Sequence, residues 1–153
     1  MTSPLTLVMP LEENVDLTQL AEALGKAADA IDDALTTIGT VHFARFVVFD
    51  VSTPNLQVGP STGPFKLAVI TEYDRDFNSY IQDFVNHIGF VFDELLGFTA
   101  DGQSLVPVAE HLEAFTDYVA KNDASQHLPP GIQPLYCAYD ATVQTILASV
   151  PPS

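Results

Sequence analysis

Apolar residues recur at three- and four-residue intervals through Leu17, Leu20, Ala21, Leu24, Ala28, Ile31, Leu35 and Ile38, the spacing of one buried helical face. Glu12, Glu13, Asn14 and Asp16 put capping groups and negative charge ahead of it, and Gly39 supplies a natural stop. LTLVMPL, residues 5 to 11, reads as a strand before this helix, and residues 40 to 51 read as a second strand after it. STPNLQVGPSTGP, 52 to 64, has the proline and glycine content of a loop and leads into FKLAVITEY, 65 to 73, a third strand. The period then returns to that of a helix. Asp74 or Asp76 caps a stripe of Phe77, Tyr80, Ile81, Phe84, Val85 and Ile88, continued less regularly through Phe92, Leu95 and Leu96 to Gly97. Pro107 opens a further helix over 107 to 121, with Val108, His111, Leu112, Phe115, Tyr118 and Val119. PLYCAY, 134 to 139, reads as a fourth strand, and Asp140 caps a short last helix through Val143, Ile146 and Leu147 that stops at Pro151.

This order predicts a single α+β domain over residues 1 to 153: a ferredoxin-like βαββαβ sandwich, with a four-stranded antiparallel sheet, helices on one face and extra C-terminal helices. Such a sheet should show a polar set of side chains on its bare face. Here the strand at 40 to 51 alternates Val41, Phe43, Arg45, Val47, Phe49 against His42, Ala44, Phe46, Val48, Asp50. The next strand alternates Phe65, Leu67, Val69, Thr71, Tyr73 against Lys66, Ala68, Ile70, Glu72. Both sets are apolar through their middles. Several hundred Å² of wet apolar sheet would forgo, at ~25 cal/mol per Å², on the order of 10 kcal/mol. A cover is therefore expected on the second face: a second copy of the chain, the extra helix at 107 to 121, or a bound apolar ligand.

The strings LTLVMPL, TVHFARFVVFD, YDRDFNSYIQDF and YCAYDATVQTI resemble, over about residues 4 to 148, an uncharacterised bacterial family of the ferredoxin-like, dimeric α/β-barrel type, in which two sheets meet face to face. The resemblance implies a homodimer formed through the sheet face. The wider superfamily it points to includes small monooxygenases, haem-handling enzymes, dye-decolourising peroxidases and stress-responsive proteins. Arg75 stands where that resemblance expects the glycine of a Tyr/Phe-Asp-Gly pattern.

Charge narrows the partners. Five Lys and Arg against twenty Asp and Glu give a net charge of −15, which repels phosphate backbones and anionic headgroups, so neither nucleic acid nor a membrane surface is expected. The same excess also fits a high-salt proteome, although a solvated surface is the commoner explanation. No run approaches the ~18 to 20 apolar residues of a membrane span, and MTSPLTLVMPL has no basic start, so a soluble, cytoplasmic protein is expected. Cys137 stands alone in an apolar stretch and reads as a small buried hydrophobe.

The candidate ligand-binding set is Arg45, His42, Tyr73, Tyr136 and Tyr139. A guanidinium on an apolar strand suits a carboxylate or the propionate of a cofactor, or else an internal acid of the chain. His42 points away from Arg45 on an ideal strand, so the two share a site only if the strand is bulged; otherwise His42 is a strand-end residue or marks the edge of a subunit contact. Tyr80 and Tyr118 join the other tyrosines as either pocket lining or core. His87 and His111 lack paired metal-ligand spacing, and no metal is expected. Asp74, Asp76 and Asn78 imitate the start of a calcium loop, but Ser79 and Val85 stand where it needs Gly and Glu. GPSTG, 59 to 63, matches a nucleophile elbow around Ser61 without the helix that must follow it. The expected function is that of a dimeric small-ligand-binding or stress-related protein without robust catalysis, taking a small apolar or acidic ligand and no cofactor. The alternative is a small oxidoreductase, of monooxygenase or haem- and peroxidase-related type, acting on an aromatic or acidic substrate in the barrel cavity. There Arg45 would grip an acid or a haem propionate, with His42 or a tyrosine assisting.

Overall fold

In the computed structural model, which describes residues 1 to 59 and 63 to 150, the strands are β1 (Ser3–Pro10), β2 (Val41–Asp50) and β3 (Phe65–Tyr73). The helices are α1 (Leu17–Ile38), α2 (Phe77–Leu96), α3 (Leu112–Asn122) and α4 (Val143–Ser149). The Ser61 motif and the Pro151 stop lie outside the described residues. Asp16 caps α1 by accepting from the N–H groups of Thr18 and Gln19, and Gly39 closes it at φ +60°, where a side chain would be strained. Asp76, not Asp74, caps α2, accepting from the N–H of Ser79. The irregular second half of the α2 stripe has a local cause: Ile88 leaves helical geometry (φ −134°, ψ 26°) and kinks the helix.

The sheet has three antiparallel strands in the order β1-β3-β2, so the four-stranded ferredoxin-like sandwich expected from the sequence is not the architecture; the α+β class is. The missing strand has a physical reason. The fourth strand of a ferredoxin-like sheet pairs with the outer edge of β1, and that edge is already taken. Thr6 donates its N–H to Asp123 Oδ1 (2.9 Å), Ser125 donates to the carbonyl of Pro4 (3.2 Å), Leu7 bridges to Asp123, and Ala100 donates its N–H to the carbonyl of Pro10 (2.9 Å). Residues 134 to 139 run instead as irregular chain beside β2, and Pro134 brings no donor to a ladder. Two helix starts also move. Val108 donates its N–H to Asp93 Oδ1 (2.7 Å), which holds 107 to 111 as a turn and delays α3 to Leu112. Thr142 rather than Asp140 caps α4.

The helices α1 and α2 pack together over one face of the sheet, and the core runs through Leu5, Leu7 and Met9 of β1, Leu67, Val69 and Tyr73 of β3, and Leu20, Tyr80, Ile81, Phe84, Ile88 and Leu95 of the helices. The register puts Ala44, Phe46 and Val48 of β2 opposite Thr71, Val69 and Leu67, so these share the helix-covered face. Phe43, Arg45, Val47 and Phe49 lie opposite Glu72, Ile70, Ala68 and Lys66 on the other face. The chain itself covers one end of that second face. Ser125 is bound at β1, Tyr139 lies beside His42 of β2, and the segment between them meets Phe43, Arg45 and Glu72. It therefore crosses the sheet on the side away from α1 and α2. The helix α3 does not provide this cover; it packs through Phe115 and Val119 into the main core.

Arg75, between β3 and α2, has φ +81°, a backbone that glycine adopts freely and an L side chain does not. Its exposed guanidinium bonds half-buried Asp83 (3.2 Å), a contact worth little. Arg75→Gly is expected to raise stability by about 1 kcal/mol, since relief of ~1 to 3 kcal/mol of strain exceeds the ~0.5 to 1 kcal/mol entropic cost of glycine. Thermal unfolding should shift upward by roughly 2 to 4 °C; a fall would show that the backbone at Arg75 is not strained.

Candidate functional site

A single irregularity in β2 builds the site. Val41 pairs with Tyr73 and Phe43 with Glu72, so His42 is an extra residue in a bulge. Val41 keeps to the buried face, Phe43 turns to the other, and the His42 ring is aimed along the strand end towards Asp74. Its Nε2 lies 3.1 Å from Asp74 Oδ1 and 3.2 Å from Thr2 Oγ1, with its side chain only 5% exposed. Asp74 also accepts from the Thr2 hydroxyl (3.3 Å) and, through Oδ2, from the N–H of Val143 at the start of α4 (2.8 Å). Burial pushes the Asp74 carboxyl up, but the bonds from Val143, His42 and Thr2 together hold it below its ordinary value. One carboxylate thus ties the N-terminus, β2, β3 and the C-terminal segment together.

Above this latch, residues 135 to 139 and the open face of the sheet enclose a groove of about 500 Å³. Its sheet side is Phe43, Ala44, Arg45 and Glu72; its outer wall is Leu135, Tyr136, Cys137, Ala138 and Tyr139; Thr2 and His42 lie at its end. The bulge brings His42 and Arg45 to one cavity, which an ideal strand would forbid. Tyr136 and Tyr139 join them there, but Tyr73 does not: it is buried in the helix-side core, stacked on Tyr80 at 3.9 Å. Burial, with the charges of Asp123 and Asp76, pushes the Tyr73 hydroxyl up to about 12. Tyr80 bonds Thr71, and Tyr118 donates to Asp101 Oδ1 (2.7 Å), so both serve structure.

Arg45 does not answer an internal acid. It is exposed, and among the described residues no hydrogen bond or ion pair engages its guanidinium. His42, by contrast, is held by a side chain rather than by backbone, and the bonds at Nε2 commit that nitrogen to the latch, not to a metal or a haem iron. Cys137 is exposed on the wall of the groove, not buried. His87 and His111 are exposed on α2 and before α3, and His87 bonds the carbonyl of Asp83. Among the described residues no cluster of three or more His, Cys, Asp or Glu suited to a metal stands together, and no helix is long and apolar enough to cross a membrane.

Phe43 and Glu72 are groove residues that the pattern did not single out. Their signal lies in the register: once Phe43 is opposite Glu72 and Arg45 opposite Ile70, the alternate set of β3 falls on the face of Arg45. The wall carries unusual exposure for aromatic side chains, with Phe43 at 64%, Tyr136 at 79% and Tyr139 at 51%. Comparison of the chain with protein-family models, with curated proteins and with solved structures finds no match.

Proposed function

We propose that the protein binds a small organic acid with an apolar or aromatic body in the groove beneath residues 135 to 139, and that it performs no catalysis on it. One observation carries this reading: a guanidinium without a partner among the described residues sits among exposed aromatics in a concave site, within a chain rich in acids that could have paired with it. Ligand sites are concave and mostly apolar, with a few polar groups that fix orientation. Phe43, Tyr136 and Tyr139 supply the apolar walls, and Arg45 supplies a planar fork for a carboxylate. The Nε2 of His42 is engaged by Asp74 and Thr2, which takes that nitrogen out of the role of a free base for a groove nucleophile.

Calorimetric titration with 3-phenylpropionate tests it. The wild type should bind saturably, and Arg45→Ala should stay folded while binding roughly 10- to 100-fold more weakly, the equivalent of ~1.5 to 3 kcal/mol for a charge-assisted contact. Undiminished binding by the variant, or none by the wild type, would overturn the proposal. An Arg45→Ala chain that failed to fold would contradict the exposed, unpartnered setting of this side chain.

A further inference from the structure

The groove carries an anion as well as a cation. Glu72 is directly opposite Phe43 and diagonal to Arg45, and both charged side chains line the groove. Diagonal neighbours on one face stand about 7 to 8 Å apart at the backbone, within reach of long side chains, yet among the described residues Arg45 and Glu72 form no ion pair. We infer that the ligand is a zwitterionic α-amino acid with an apolar or aromatic side chain, its carboxylate on Arg45 and its ammonium on Glu72.

The inference rests on the ligand-binding reading of the groove and adds a second charge requirement. Three considerations favour a zwitterion over a simple acid. An α-amino acid carries its ammonium and its carboxylate on one carbon, so it fits between two oppositely charged side chains that sit side by side. An exposed Arg–Glu contact is worth only ~0 to 1 kcal/mol, so a ligand that inserts between them displaces little. The chain as a whole carries −15, which opposes the approach of a net anion but not of a neutral zwitterion. The apolar side chain then lies against Phe43, opposite Glu72 on the sheet, with Tyr136 and Tyr139 across the groove.

Three probes separate the contributions: phenylalanine, 3-phenylpropionate, which lacks the ammonium, and phenethylamine, which lacks the carboxylate. Each is titrated into wild type, Arg45→Ala and Glu72→Gln, and read through the amide shifts of residues 43 to 45 and 136 to 139, so that loose attraction of the amine elsewhere on the acidic surface does not count. Phenylalanine should bind wild type at least about 10-fold more tightly than either truncated probe. Glu72→Gln should bring phenylalanine down to the level of 3-phenylpropionate while leaving 3-phenylpropionate no weaker. If 3-phenylpropionate binds as well as phenylalanine and Glu72→Gln changes neither, the amino-acid assignment is wrong and the organic-acid site stands. If no probe shifts these residues, both fail.

Discussion

Asp74→Ala is expected to lower stability by roughly 3 kcal/mol and to free the C-terminal segment from the sheet. Asp74 accepts from Val143, from Thr2 and, through Oδ1, contacts His42, and its side chain is itself largely buried. Alanine removes all of these at once and leaves the enclosed His42 ring without its acid, the situation that makes breaking a buried polar pair cost ~3 to 5 kcal/mol. The C-terminal segment has little else to hold it: Leu135, Ala141, Val143 and Ile146 are only half-buried, and no other residue from 131 to 150 is less than exposed. Denaturant unfolding should show the loss, and limited proteolysis should cut between 127 and 142 in the variant before the wild type. A change under about 1 kcal/mol with an uncut segment would mean that Asp74 is not the latch.

The pH dependence has a definite sign. The folded-state pKa of Asp74 lies below the ordinary 3.8, so its contribution is present above that value and is lost as pH falls through the lower folded value. The gap in stability between wild type and Asp74→Asn should therefore be widest near neutral pH and should close in acid below pH ~4. A gap that widened in acid would reverse the assignment.

Phe115→Ala is expected to cost about 4 kcal/mol, within the ~3 to 5 kcal/mol range for emptying the volume of a buried phenylalanine. Phe115 is 1% exposed, meets Phe92 edge-on at 5.3 Å, and shares its surroundings with Leu5, Leu7 and Phe84. It anchors α3, which delivers Asp123 to the edge of β1. Loosening this helix should therefore speed hydrogen exchange at the Thr6 amide more than at amides of β3. A loss below about 1.5 kcal/mol, or unchanged exchange at Thr6, would separate the packing of α3 from the capping of that edge.

The parts of the fold legible in the sequence are those decided locally. Asp16 and Gly39 bound α1 because caps act within a turn of the residues they serve, and Phe65 to Tyr73 stands between a loop and a helix cap that leave it no other bounds. PLYCAY failed as a strand for a reason that no window around it contains. Asp123 and Ser125 had already taken the edge of β1, a strand more than a hundred residues away along the chain. The pattern also called for a cover on the second face, and the cover at one end turned out to be the chain's own irregular segment, not the helix at 107 to 121. Arg45, His42, Tyr136 and Tyr139 could be proposed from residue type, and the bulge at Val41 and Phe43 is what allows them to converge. Tyr73 was the exception because its strand position fixes it to the helix-covered face, where Tyr80 stacks on it. Glu72 needed the strand register, which alternation within one strand does not supply.

An amide-resolved NMR titration of the wild-type protein with phenylalanine and with 3-phenylpropionate bears most directly on the groove. Saturable shifts concentrated in residues 42 to 45, at Glu72 and in 135 to 139 are predicted. Shifts scattered over the surface, centred elsewhere, or absent with both compounds would contradict the assignment of a ligand site to this place in the fold.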